Sequence, residues 1–304
     1  MLGCSDRTVA RHWEDLLGRS VLWPRAEWHG TGDDTLVSAL ISVDTAGRDD
    51  YELFGEVARM PEVLTIEKTL HGADAILLVR ATSIHDLGVR VLPALRTVEG
   101  VVATRTVLIT RTLFSSLEWR FGALSPHQVQ MLERGSARAR QRHSVRDKDM
   151  PVIHEVLRNP RARVGEIARS TGTGNDAVTA IIEGARNSGA LKIGVEVEPR
   201  SLGYDAECLF TLRMNPEDVH TLRRMLHGLG LLRFLVTTAG VVNVMLGILI
   251  RTMEDVALVD EVIRSTVRGV EVVSTQITFG TTKRGGWIQA DHGFAPERFV
   301  PPPL

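Results

Sequence analysis

Residues 164–189 read VGEIARSTGTGNDAVTAIIEGARNSG, and this stretch defines the smaller of two modules in the chain. A short helix with Ile167 and Ala168 inward breaks at Thr171-Gly172-Thr173-Gly174, a turn that glycine permits because it tolerates positive φ. Asn175 or Thr173 can cap the next helix, where Val178, Ile181, Ile182 and Ala185 recur at i, i+3, i+4 and i+7. Gly189 stands where a helix end favours glycine. Upstream, Val152, Ile153, Val156 and Leu157 share one face of a helix over 149–159, which Pro160 stops. Downstream, the alternating stretch 191–198 reads as a strand closed by Pro199. Three short helices, a tight turn between the second and third, and a strand make the pattern of a winged helix-turn-helix over 147–200.

Working outward, the chain repeats itself. Gly3 and Gly172, Gly72 and Gly240, and Gly100 and Gly269 occupy like contexts, at offsets of 169, 168 and 169 residues. Such a period is too long for a solenoid and indicates duplicated domains. The first copy of the small module, residues 1–30, is partial. Gly3 to Thr8 is its turn, Ser5 its N-cap, and Val9, Trp13, Leu16 and Leu17 its apolar face. Arg7, Arg11 and His12 flank that face outside, and Val21-Leu22 matches Ala190-Leu191 at the wing. Large side chains left in water cost roughly 1.5–3 kcal/mol each, so an upstream extension supplying two helices is expected.

Each small module precedes a larger one, at 34–114 and 204–284. In the first, Val37, Ala39, Ile41 and Val43 alternate as a strand, and 49–60 is a helix with Leu53, Phe54 and Val57 inward. Two strands, 63–70 and 75–81, meet at His71-Gly72-Ala73-Asp74; a helix over 84–98 and a strand over 101–112 complete it. Copy two repeats this order from Ala206 to Phe279. The order βαββαβ is ferredoxin-like, and the chain is read as α+β throughout. One face of such a sheet lacks helices. The two sheets, tethered at an effective concentration of roughly millimolar or more, are expected to cover each other as an intrachain pseudo-dimer, with higher homo-oligomers open.

Composition narrows the class. Of 304 residues 43% are hydrophobic and 24% charged, which is ordinary for a globular protein. Cys4 and Cys208 form no ligand spacing, the longest apolar run is about half a membrane helix, and the N-terminus is no signal peptide. A cytoplasmic protein without cofactor, metal or membrane partner is expected. No phosphate loop, metal spacing or repeated carboxylate pair stands out, so the expectation is that the chain is not an enzyme. Between the modules, 115–146 reads as a linker with a short helix from Ser125 to Glu133 and a basic run from Arg134 to Lys148. The tail 285–304, ending Pro301-Pro302-Pro303, is expected to be disordered.

Taken together, these patterns resemble the Lrp/AsnC (feast/famine) transcription regulators, in the tandem two-copy form known from actinobacteria. The resemblance rests on Leu2 to Arg11 as turn and recognition helix, on Asp147 and Asp149 before Ile153 and Leu157, and on Thr238-Ala239-Gly240 as a sensor turn. It implies winged helix-turn-helix modules joined to RAM- or ACT-like sensor domains that bind a small-molecule effector, an amino acid or related metabolite. It implies double-stranded DNA as partner, contacted through Ser5, Asp6, Arg7, Thr8, Arg11 and His12 and through Thr173, Asn175, Thr179 and Arg186. The outer face of the second recognition helix, with Asp176 and Glu183 against Arg186, is poor in cations, so the first is the better reader. Gly72, Asp74, Gly240 and Asn243 are the candidate effector residues. Where the family carries an acid three positions after the sensor glycine, this chain has Ala75 and Asn243. The alternative is a small-molecule sensor acting through a protein partner with DNA binding lost.

Overall fold

The computed structural model describes residues 5–30, 36–119, 145–289 and 296–304. In chain order the first elements are α1 (Asp6–Gly18), β1 (Leu22–Trp28), β2 (Val37–Thr45), α2 (Asp50–Val57), β3 (Val63–Thr69) and β4 (Ala75–Ala81). A helical stretch follows as α3 (Ile84–Asp86), a wider turn (Leu87–Val91) and α4 (Leu92–Arg96), and then β5 (Val101–Phe114). The second copy holds α5 (Met150–Arg158), α6 (Val164–Thr171), α7 (Asn175–Asn187), β6 (Leu191–Val197), β7 (Ala206–Arg213) and α8 (Val219–Gly228). It ends with β8 (Leu232–Ala239), β9 (Val244–Ile250), α9 (Met253–Thr266), β10 (Glu271–Arg284), β11 (Trp287–Gln289) and β12 (Pro296–Phe299). Two compact units form: one from the described residues of 1–34 and 122–197, the other from 35–121 and 198–303.

The first unit packs α5, α6 and α7 around Val152, Ile153, Val156, Leu157, Ile167, Val178 and Ile181, all buried. Gly172 ends α6 in the left-handed region at φ 67°, and its N–H donates to Ala168 O. Capping of α7 differs from expectation. Gly174 is the N-cap and makes no side-chain bond, because Asn175 already lies inside the first turn. The wings differ too. β1 and β6 pair with each other as one antiparallel ribbon, from Leu22↔Val197 to Trp28↔Leu191. At an offset of 169, Arg25 and Gly194 are equivalent residues and also face each other, so a local two-fold passes through that pair. The apolar face expected for α1 is not buried. Val9 is 45% exposed and Trp13, Leu16 and Leu17 are half-buried; among the described residues α1 meets β1, and the Arg161 guanidinium lies 4.6 Å from the Trp13 ring centre.

In the second unit each copy forms a four-stranded antiparallel sheet, β3-β4-β2-β5 and β8-β9-β7-β10. Alternation along the first strands gives each sheet two faces. Ala39, Ile41 and Val43 meet α2 and the later helices of copy one, while Cys208, Phe210 and Leu212 do the same in copy two. The sheets do not merely stack. β5 and β10, each fourteen residues long, outrun their own sheets and pair with β8 and β3 of the other copy, so eight strands close into one ring. Each long strand serves one copy with one half and the other copy with the other: β5 pairs β2 over 101–108 and β8 over 108–114. The ring interior holds Leu40 and Ile76 from one copy with Leu209, Val236 and Met245 from the other.

The tail corrects another expectation. β11 and β12 extend the sheet, with Trp287 against the Phe299 ring at 5.1 Å, Val300 buried, and Ile288 packed on the first-copy core. The proline-rich composition masked this apolar set. The expected turn residues Gly3 and Cys4, the helix 125–133 and most of the basic run 134–148 lie outside the described residues. No helix among the described residues is long and apolar enough to cross a membrane.

Candidate functional site

Two sets of candidate residues lie in separate units. In the first unit Ser5 caps α1 as expected, its Oγ accepting from Thr8 N at 3.2 Å and lying 3.0 Å from the Thr8 hydroxyl. Both hydroxyls are thus engaged locally. Asp6, Arg7, Arg11 and His12 are exposed along α1. On α7, Asn175, Asp176, Thr179 and Arg186 are exposed and Glu183 is half-buried, while Thr179 Oγ1 donates back to Asn175 O at 3.0 Å. The ribbon beside these helices carries a charged cluster the sequence reading missed. Buried Arg25 donates to Glu196 and to Glu27, and His29 Nε2 stands 3.4 Å from Glu27. Burial opposes the Glu27 carboxylate, yet Arg25 and His29 outweigh it and hold the group at about 2.

In the second unit the β3–β4 and β8–β9 turns are built alike. Thr69 N donates to Asp74 O at 3.0 Å, and Thr238 N to Asn243 O at 2.9 Å. Asp74 N reaches Val43 O, and Asn243 N reaches Leu212 O. The side chains repeat the pattern. The Asp74 carboxylate accepts from Thr45 N at 2.6 Å and Thr45 Oγ1 at 3.1 Å, and Asn243 brackets Met214 by accepting from its N at 3.1 Å and donating to its O at 2.7 Å. Asp74 and Asn243 therefore fasten each turn to the end of its copy's first strand. All these pairs lie 169 apart, so the glycines at 72 and 240 are one step out of register: His71 stands where copy two has Gly240, and Gly72 where it has Val241.

The surroundings of the two turns differ. A Cβ on Gly72 would lie 2.6 Å from Gln276 Nε2, whereas one on Gly240 would meet nothing within 4 Å. His71 Nε2 lies 3.0 Å from Thr275 O, Gln276 Nε2 donates to His71 O at 3.4 Å, and Arg105 donates to Gly72 O at 3.3 Å. Arg105 also grips Asp44 through bonds of 2.7 and 2.9 Å. His71, Gln276 and Arg105 carry no motif, and only comparing the copies residue by residue could single them out.

A βαββαβ half with a fastened turn between its middle strands is a recognisable domain. Residues 37–119 match the family model for the Lrp/AsnC ligand binding domain. Outside this Lrp/AsnC ligand-binding domain, copy two repeats the same element order. Among solved structures, the siroheme decarboxylase NirDL is similar at 11% identity and a TM-score of 0.62, over 93% of this chain and 84% of that one. The same enzyme in co-complex with an iron-uroporphyrin III analogue gives 0.59 over the same shares. LrpC of B. subtilis has 18% identity and a TM-score of 0.38, over 45% of this chain and 96% of that one. No curated protein matches the chain. The expectation that the chain is not an enzyme is corrected here. Nearly the whole chain shares its fold with an enzyme, so neither this architecture nor the lack of a sequence motif sets enzymes aside.

Proposed function

We propose that this chain is a DNA-binding regulator whose paired ligand-binding halves respond to a small molecule, an amino acid or a related metabolite. The observation that carries the reading is the match of residues 37–119 to the Lrp/AsnC ligand binding domain, in a chain that also holds a three-helix unit with a tight turn before α7. That unit fits a winged helix-turn-helix with β1 and β6 as a shared wing. Arg7 and Arg11 on α1 supply phosphate and base contacts, with Ser5, Asp6, Thr8 and His12 beside them. Thr173, Asn175, Thr179 and Arg186 form the weaker second face. Gly72, Asp74, Gly240 and Asn243 frame the effector turns, the two polar side chains acting by holding the turns in place. A ligand that binds one arrangement better shifts its population, and DNA affinity follows by linkage. Fluorescence anisotropy on DNA flanking the gene, with and without amino acids, tests this reading.

A second reading follows from the fold shared over 93% of the chain with a siroheme decarboxylase. An enzyme of that class would remove carboxylate groups from an iron tetrapyrrole. Mass spectrometry of siroheme incubated anaerobically with the protein tests it, and loss of carboxyl mass would favour it.

A further inference from the structure

The two halves of the closed ring are built on one plan, yet one turn is filled by the chain itself and the other is not. In copy one, His71 and Gln276 form a cross-strand latch. The His71 ring lies 3.0 Å from Thr275 O, the Gln276 carboxamide donates to His71 O, and that same carboxamide occupies the space over Gly72. The register of 169 fixes what stands in the corresponding places of copy two. Thr69↔Thr278 corresponds to Thr238↔Ile109, so His71 corresponds to Gly240 and Gln276 to Val107. Both latch side chains are therefore absent there. Gly240 has no side chain, and Val107 ends too soon to offer an amide; it is spent packing against the ring interior. Gly240 holds φ 128°, no atom of the described residues other than its chain neighbours lies within 4 Å of where its Cβ would be, and Val241 beside it is 76% exposed.

Resting on the reading of these turns as effector sites, we propose that the copies have diverged into one latched turn and one receptive turn, so that each chain binds one ligand, at Gly240. The latch shows the chemistry such a turn accepts. It is filled by a carboxamide on a short aliphatic stem and by an imidazole, both offering a polar nitrogen to backbone carbonyls. The corresponding carbonyls in copy two are those of Gly240 and Thr106. The ligand class is a molecule of amino-acid size with N–H donors on a short stem, and free glutamine and histidine carry the groups that fill copy one. In copy one the same groups are tethered to the fold, and their effective concentration keeps a free competitor out.

The test is calorimetric titration of the full chain with L-glutamine and, separately, L-histidine, scoring stoichiometry. Wild type is expected to bind at least one of them at one per chain. His71→Gly with Gln276→Val, which gives copy one the residues of copy two, is expected to raise this to two. Val107→Gln, which brings a carboxamide to the copy-two turn and leaves Gly240 at its φ of 128°, is expected to abolish binding; Val107→Asn serves if that variant fails to fold by circular dichroism. Binding of neither probe to wild type, two sites in wild type, or a single site insensitive to Val107→Gln would overturn the proposal. Because the readout is ligand stoichiometry without DNA, loss of DNA binding alone would count against the proposed regulator and leave the diverged turns standing.

Discussion

Phe114 and Lys283 are equivalent residues, 169 apart, at the ends of the two longest strands. Phe114 pairs with Leu235 and Lys283 with Ile66, which are themselves 169 apart, and each lies across the join into the other copy's sheet. Phe114 completes the apolar core of copy two. Lys283, fully buried, ends instead in an ammonium that donates to Met60 O at 2.9 Å. The duplicated fold thus places a hydrocarbon at one join and a buried cation at the other.

That cation should register in stability against pH. Burial, partly offset by Glu62, which itself accepts from Arg90, holds the Lys283 ammonium down at about 7 from the usual 10.5. Between these values the unfolded chain binds a proton here that the folded chain does not, so stability rises with pH across that window and the full penalty stands below about 7. Lys283→Met should therefore be more stable than wild type near neutral pH, by roughly 2–4 kcal/mol. The gain should fade toward pH 10.5. Urea midpoints across that range check it, and a loss of stability at neutral pH would reverse the argument.

Glu27 runs the other way. Its carboxylate is held at about 2, below the usual 4.5, so its stabilising share is present above 4.5 and is lost as pH falls toward 2. Glu27→Gln should destabilise the ribbon-bearing unit by on the order of 2–3 kcal/mol at neutral pH. The gap from wild type should narrow once the pH drops below 4.5. Chemical unfolding followed by the fluorescence of Trp23 and Trp28, both buried in the ribbon, reads this out.

The two candidate recognition helices should contribute unequally. Arg7→Ala and Arg11→Ala should each weaken DNA binding by about 1–3 kcal/mol where the contact is to a base edge, and lower the salt slope by about one where it is to a phosphate. Asn175→Ala with Arg186→Ala should cost less, since Asp176 and Glu183 share that face. An equal or larger loss from the α7 pair, measured by anisotropy, would assign recognition to copy two.

Periodicity made the individual elements legible. The alternation from Val37 to Val43 and the i, i+3, i+4, i+7 spacing of Val178 to Ala185 are local, and both stand in the structure. What crosses between copies was not legible. The pairing of β1 with β6, the closed ring and the Arg25–Glu196 pair depend on residues more than a hundred positions apart, and no local pattern encodes such contacts. Asp74 and Asn243 show the same limit within the candidate site. Their side chains suggested ligand contacts, yet backbone groups at Thr45 and Met214 already engage them. The glycines at 72 and 240 invited an offset of 168, and only the hydrogen bonds around the turns show a frame of 169 with the glycine moved by one.

The central claim is that the chain regulates by binding DNA under control of a small molecule, and a salt-resolved binding isotherm tests it most directly. The full chain is titrated onto a labelled duplex from the DNA flanking its gene, and onto a scrambled duplex, over a series of salt concentrations with and without L-glutamine or L-histidine. The account expects tighter binding to the flanking duplex, a linear fall of log affinity with log salt, and an affinity that shifts when a ligand is added. Equal affinity for the two duplexes, or no saturable binding at low salt, would contradict it.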